Sequence, residues 1–146
     1  MIAIASDHGG FALKQEIMSQ LQNWGYAYED MGTYSEESVD YPDFAEKVGR
    51  AVVAGTHEKG ILICGTGIGI GIAANKIHGI RAALCHDCFS AEMTRRHNDA
   101  NVLTMGGRVI GPELAARIVK LFLETPFDGG RHQRRIDKIR EIEERG

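Results

Sequence analysis

The stretch Gly60 to Lys76, GILICGTGIGIGIAANK, constrains the fold more than any other part of the chain. Ile61, Leu62, Ile63 and Cys64 form an apolar run of the length expected for a strand buried on both faces. Glycine then occupies every second position, at Gly65, Gly67, Gly69 and Gly71, before Ile72-Ala73-Ala74-Asn75-Lys76 resumes as good helix. A strand that feeds a helix through glycines directs backbone N–H groups at one spot, and the helix dipole adds positive potential there. Such a turn binds anions. Cys64 stands where the strand stops and the donors begin, with the hydroxyl of Thr66 two residues on. A thiol of unperturbed pKa roughly 8.5 ionises more readily at a helix N-terminus, and a thiolate can serve as nucleophile or base. A buried, inert strand cysteine fits this stretch equally well.

The rest of the chain supports one domain around that strand. Its 146 residues are 43% hydrophobic and 25% charged, enough for one sizeable core, so residues 1–146 are read as a single domain. No apolar stretch reaches the ~18 residues of a membrane span and Met1-Ile2-Ala3-Ile4 begins a strand directly, so the expectation is a cytoplasmic protein with no membrane partner. Cys64, Cys85 and Cys88 are an odd number and are read as thiols. A net charge of −3 argues against a nucleic-acid partner, although Arg131 to Gly146 carries six Lys or Arg against four Asp or Glu.

In chain order the pattern predicts a strand over Ile2–Ser6, a helix from about Phe11 to Trp24 with Leu13, Ile17 and Leu21 on one face, and a weak strand over Ala27–Met31. A polar loop from Gly32 to Tyr41 leads through Pro42 into a helix ending near Ala54. After the central strand and its helix come a fourth strand, Arg81–Cys85, a helix from about Phe89 to Arg96, a fifth strand, Val102–Met105, and a helix over Glu113–Glu124. Pro126 to Gly130 breaks the chain before the charged tail. Strands alternating with helices at this spacing imply a five-stranded parallel sheet with helices on both faces, an α/β three-layer sandwich. Ligands of such sheets bind beyond the carboxyl ends of the strands, where Asp7 and His8, Cys64 to Gly71, His86 and Asp87, and Gly106-Gly107-Arg108 fall. His97-Asn98-Asp99 precedes the fifth strand and belongs to the opposite end.

Other motifs carry less. A dinucleotide G-x-G-x-x-G fails in register at Gly65 and Gly67; from Gly69 it fits only with Ala74 in third place, when the turn is already several residues old. No Gly-Lys-Ser/Thr closes the run as in a Walker loop. Cys85-His86-Asp87-Cys88 lacks a second ligand pair at zinc spacing and is read as strand-end residues rather than a redox pair or metal half-site. His57 and His78 are read as surface histidines in polar turns. Arg131 and Arg135 stand one turn apart, the geometry for clamping a phosphate, against a plain solvated basic turn. Ile136, Ile139 and Ile142 form a stripe too thin for a core helix, which suits a docking seam.

Asp7-His8-Gly9-Gly10, Asp40-Tyr41-Pro42, GILICGTGIGIGIAANK, Gly79-Ile80-Arg81-Ala82, Arg96-His97-Asn98-Asp99-Ala100-Asn101-Val102-Leu103 and GGRHQRR occur in order from Ile2 nearly to the end. In this combination the chain resembles the type B ribose-5-phosphate isomerases. The resemblance implies a Rossmann-like sheet, interconversion of ribose 5-phosphate and ribulose 5-phosphate without metal or other cofactor, and a homodimer or larger homo-oligomer. Relatives acting on allose 6-phosphate or galactose 6-phosphate share much of the pattern, as would a sugar-phosphate-binding subunit that has lost its chemistry. By resemblance, His97 opens the furanose ring with Asn98 beside it, and Cys64 moves the proton between carbons 2 and 1. Gly65, Thr66, Gly67, Ile68 and Gly69 line the enediolate, and Thr66 contacts the shifting oxygens. Asp7 and Tyr41 belong to the sugar site, and His8, Arg108, Arg131 and Arg135 match the phosphate and sugar contacts. One branch of the family carries a glutamate in the glycine loop, where this chain has Ile70. Because His97 precedes strand five while Cys64 ends strand three, the active site is expected to be completed across a dimer interface, with the C-terminal helix docking on the partner.

Overall fold

A computed structural model describes residues 1–146. The strands are β1 (Ile2–Ser6), β2 (Tyr28–Asp30), β3 (Lys59–Cys64), β4 (Ala82–Leu84) and β5 (Val102–Gly106); the helices are α1 (Phe11–Trp24), α2 (Tyr41–Ala54), α3 (Ile68–Ala74), α4 (Cys88–Asn98), α5 (Pro112–Glu124) and α6 (Arg131–Arg145). The five strands form one all-parallel sheet in the order β2-β1-β3-β5-β4.

Side-chain alternation sorts the two faces. Ile2, Ile4, Ile61, Ile63, Leu103 and Met105 meet α1, α4 and α5 on one side. Ala3, Ala5, Leu62, Cys64 and Val102 meet α2 and α3 on the other. The small alanines of β1 on this second face let α2 lie close to the sheet. All of these strand residues are buried, which is why the strands read as continuous apolar runs.

The expected helices and strands are all present, with shifted ends. Helix α3 begins at Ile68, four residues earlier than the composition suggests, and stops at Ala74. Gly67, at φ 77°, makes the left-handed turn that starts it. Gly69 lies within this helix, and Tyr41 lies across it so closely that a Cβ there would come within 2.7 Å of the ring. Strand β4 is shorter than Arg81–Cys85, and α4 extends to Asn98, so that His97 sits in a helical turn rather than in a loop.

Helix α6 buries only Ile136. Ile139 is 49% and Ile142 62% exposed. Both line a groove of about 740 Å³, together with Lys76, Ile80, Ala83 and Asn98.

Two halves of a candidate active site

The sheet order reverses between β1 and β3, and the crevice beyond their carboxyl ends is where an open α/β sheet takes ligands. Cys64 closes β3 there, 4% exposed, and the backbone N–H of Gly67 donates to its Sγ at 3.1 Å. The turn is tied from both sides. Gly107 N donates to Cys64 O at 2.8 Å, Arg108 N donates to Gly65 O at 3.0 Å, and Thr104 Oγ1 donates to Gly67 O at 2.9 Å. Thr66 is exposed at the rim, its Oγ1 accepting from Ile68 N at 3.2 Å.

Neighbouring elements bring most of the expected residues to this turn. Asp7 follows β1, its N–H bonded to Ile63 O at 3.2 Å and its carboxylate accepting from Gly10 N at 3.1 Å. His8 accepts the Val39 N–H on Nδ1 at 3.2 Å, so the neutral ring carries its proton on Nε2. The Arg108 guanidinium lies over Gly65, where a Cβ would stand 3.2 Å from Nη1. Tyr41 covers Gly69. Ile70, in the glutamate position of the other branch, is fully buried core.

The other expected residues gather elsewhere. His97 is exposed in the last turn of α4 and stacks on His132 with ring centroids 4.4 Å apart and planes 15° from parallel. Asp128 stands beside the pair, and its N–H donates to Arg96 O at 3.1 Å. Arg131 and Arg135 leave the same helix start as His132, both exposed and without an ion-pair partner within the chain. Desolvation, then the charges of His97 and Arg131, hold His132 below the usual histidine range. This group lies before the amino end of β5, whose Val102 pairs with Gly60, whereas Cys64 pairs with Gly106 at the far end. Four residue steps along the sheet separate those ends by about 13 Å. The expected residues therefore fall into two groups on opposite rims of one chain: Asp7, His8, Tyr41, Cys64 to Gly69 and Arg108 on one, His97, Asn98, Arg131 and Arg135 on the other.

Several polar residues have structural duties. His57, expected at the surface, is 7% exposed, with Nε2 2.9 Å from Glu29 Oε1 and Nδ1 2.9 Å from Thr56 Oγ1. Its polar neighbours in sequence concealed that the ring fits between β2 and the turn before β3. In the Cys85-His86-Asp87-Cys88 segment, Asp87 caps α4 by accepting from Ser90 N, and burial pushes the Cys85 thiol up to about 11. His86 accepts the Gly106 N–H on Nε2 at 2.9 Å, fixing the β5 end beside Cys64, and burial lowers its pKa. Arg95, within the dense polar cluster, is buried and donates to Thr125 O, Asp99 Oδ1 and Ala100 O.

Lys14 is the residue that sequence reasoning missed. It is fully buried, and its ammonium donates at 2.6 Å to both Asp30 Oδ1 and Thr33 O, between the Phe11 and Tyr34 rings. It thereby pins the start of the loop that runs to Val39 and Tyr41. The available signal was its place on the buried face of α1, one turn from Met18 and two from Leu21.

The sequence model of a family described as Ribose/Galactose Isomerase matches residues 2–139. The ribose-5-phosphate isomerase B of Escherichia coli is 51% identical over 144 residues, covering 99% of this chain and 97% of the relative. The structure of the Clostridium thermocellum ribose-5-phosphate isomerase B superposes with a TM-score of 0.97 at 55% identity, covering 99% of this chain and 97% of that one. That of the Mycoplasma genitalium ribose-5-phosphate isomerase B, solved with bound ribulose-5-phosphate, gives 0.94 at 44% identity over 99% of this chain and 97% of that one.

Proposed function

This chain belongs to the ribose/galactose isomerase family and is an isomerase of the ribose-5-phosphate isomerase B kind; on that premise we propose that it interconverts ribose 5-phosphate and ribulose 5-phosphate, with Cys64 as the base and His97 of the partner subunit opening the sugar ring. The observation that carries this is the division of the site residues between two rims of one chain. On the Cys64 rim the His8 imidazole has its Nδ1 engaged by the Val39 N–H, whereas His97, on the other rim, has neither ring nitrogen hydrogen-bonded within the chain. A two-fold pairing that sets the Cys64 rim of one copy against the His97 rim of the other would complete two sites, and the exposed Ile139 and Ile142 offer apolar surface for such a contact.

The chemistry then divides by half-site. An imidazole with no other hydrogen bond can pass a proton between the ring oxygen and carbon-1 hydroxyl, giving the open aldose. The Cys64 thiolate removes the proton from carbon 2 and returns it to carbon 1, while the hydroxyl proton on oxygen 2 passes to oxygen 1. Charge that builds on the enediolate oxygens meets the backbone N–H groups of the Gly65 to Gly69 turn, with Thr66 at the rim to contact those oxygens. Asp7 accepts from sugar hydroxyls, His8 offers its Nε2 proton, and Arg108, Arg131 and Arg135 hold the phosphate. Tyr41 and Asn98 close the sugar site from either side.

Mixing two inactive proteins tests the shared site. Cys64→Ala and His97→Ala subunits, unfolded together and refolded, should regain up to about a quarter of wild-type activity, because half of randomly paired dimers are mixed and each mixed dimer has one intact site of two. Mixed dimers detected by mass spectrometry but lacking activity would show that both residues act from one chain.

A further inference from the structure

His97 and His132 leave the last turn of α4 and the first turn of α6, and Asp128 lies in the connection before α6. One ligand atom of each can be chosen so that all three lie within 4.8 Å of one another. We propose that His97, Asp128 and His132 form a binding site for a divalent transition-metal ion of the zinc type, through which the ion reversibly blocks the ring-opening half of the active site. The blocking part rests on the reading of His97 given above; the binding part does not.

Two imidazole nitrogens and one carboxylate oxygen are a donor set for zinc, cobalt or nickel rather than for magnesium or calcium, which prefer oxygen throughout. Neither His97 nor His132 forms a side-chain hydrogen bond within the chain, whereas His8, His57 and His86 each have a ring nitrogen engaged. The backbones are held in place by the Asp128 N–H to Arg96 O bond of 3.1 Å and the His132 N–H to Gly129 O bond of 3.2 Å. Zinc–ligand lengths of about 2.0–2.2 Å set tetrahedral donors roughly 3.3–3.6 Å apart, so the side chains must close by up to about 1.5 Å, which rotation of the exposed His97 ring and the half-buried His132 ring out of their stack allows. Arg96 is the nearest competing cation, with Nη1 3.6 Å from Asp128 Oδ1, but its Nε is bonded to Glu92 at 2.9 Å and so can stay behind when an ion takes Asp128. Arg131 and Arg135 add positive charge at the rim, screened by water. Three protein ligands leave one tetrahedral position for water or a substrate oxygen. An ion here takes the lone pair that His97 needs for proton transfer.

The test uses the full-length protein freed of metal with a chelator, Co²⁺ as the visible probe and Zn²⁺ as competitor. One Co²⁺ per chain should bind with d–d absorption, and His132→Gln and Asp128→Asn should each weaken it at least tenfold, with thermal melts confirming the fold. His78→Gln should change nothing. Zn²⁺ should suppress ribose 5-phosphate turnover at the concentration that displaces Co²⁺, and a chelator should restore it. Asp128→Asn should keep its turnover and lose most of its zinc sensitivity. Absence of Co²⁺ binding, or equal binding by the two ligand variants, overturns the site. Absorption lost in Cys64→Ser but kept in Asp128→Asn overturns it in favour of a thiolate site. Binding at His132 and Asp128 that leaves turnover intact overturns the block and faults the role given to His97, not the metal site.

Discussion

Replacing Lys14 by methionine removes a buried charge and leaves the packing volume almost unchanged. The ammonium is fully buried and holds two acceptors, Asp30 Oδ1 and the Thr33 carbonyl, at 2.6 Å each. Breaking a fully buried ion pair by deleting one partner costs about 3–5 kcal/mol, and stranding a buried carbonyl about 1–3. Asp30 is 26% exposed and keeps the Gly32 N–H at 3.0 Å, so its share falls well below that of a sealed charge. Methionine fills the stem's space and recovers part of the loss as apolar burial. The net expectation is about 3 kcal/mol, read as a fall in Tm of roughly 6–12 °C for a domain of this size. Urea unfolding of wild type, Lys14→Met, Asp30→Asn and the double variant gives the coupling directly, and the double variant should lose less than the two single losses combined. The same substitution frees the start of the loop that bonds His8 through Val39 and leads into Tyr41, so KM should rise while kcat stays close to wild type. A Lys14→Met protein within about 1 kcal/mol of wild type, with additive double-mutant energies, would mean that the buried ammonium does not hold Asp30 and Thr33 to the fold.

Cys64→Ala should lower turnover by at least about 10³-fold while sugar phosphate still binds, checked by a coupled isomerisation assay and by calorimetry. His97→Ala should cost about 10²–10⁴-fold on ribose 5-phosphate but little on a tetrose 4-phosphate, whose esterified O4 prevents a furanose ring; equal losses on both would remove the ring-opening role. Arg135→Ala should raise KM about 10- to 100-fold, the worth of a charge-assisted phosphate contact of about 1.5–3 kcal/mol, and unchanged inhibition by inorganic phosphate would contradict it. Burial lowers the His86 pKa in the folded chain, so the unfolded chain takes up the proton first as pH falls. The stability from His86 should be complete above the unfolded value near 6.5 and decline below it until the folded value is reached. His86→Gln should flatten that part of a Tm-against-pH curve.

Much of the fold was legible because burial on both sheet faces leaves a plain mark. Ile2 to Ser6, Ile61 to Cys64 and Val102 to Met105 are apolar without alternation, and each is followed by glycine or polar residues at its carboxyl end. The errors lie where a neighbour in space decides. Gly69 and Gly71 read as loop by propensity, yet they are helical; their glycines answer to the Tyr41 ring, which bars a side chain at 69, and to Thr104, which crowds one at 71. His57 reads as surface because Thr56 and Glu58 flank it, but its partner Glu29 comes from β2. Lys14 reads as solvated because lysine is usually solvated, and only Asp30 and the Thr33 carbonyl, sixteen and nineteen residues away, make its burial affordable.

The separation of His97 from Cys64 could be read from element order, but the place of the candidate residues after α5 could not, for a reason that lies in the topology. Residues after β1, β3 and β5 converge by rule at the switch point, so Asp7, Cys64 and Arg108 could be grouped from element order alone. No rule of that kind governs the segment after α5. Whether Arg131 turns toward the Cys64 rim or toward α4 depends on the Asp128 N–H bond to Arg96 O and on the stack of His132 against His97, contacts between residues more than thirty positions apart. With those contacts in place Arg131 and Arg135 share the rim of His97. On the proposed assignment, a phosphate held by them and by Arg108 spans two chains. That makes phosphate binding itself a reporter of assembly: dilution to the point of dimer dissociation should weaken inorganic phosphate binding and isomerisation together. Phosphate affinity independent of protein concentration across the dissociation range, measured by calorimetry alongside sedimentation, would place all three arginines on one chain's site and contradict the division of the rims.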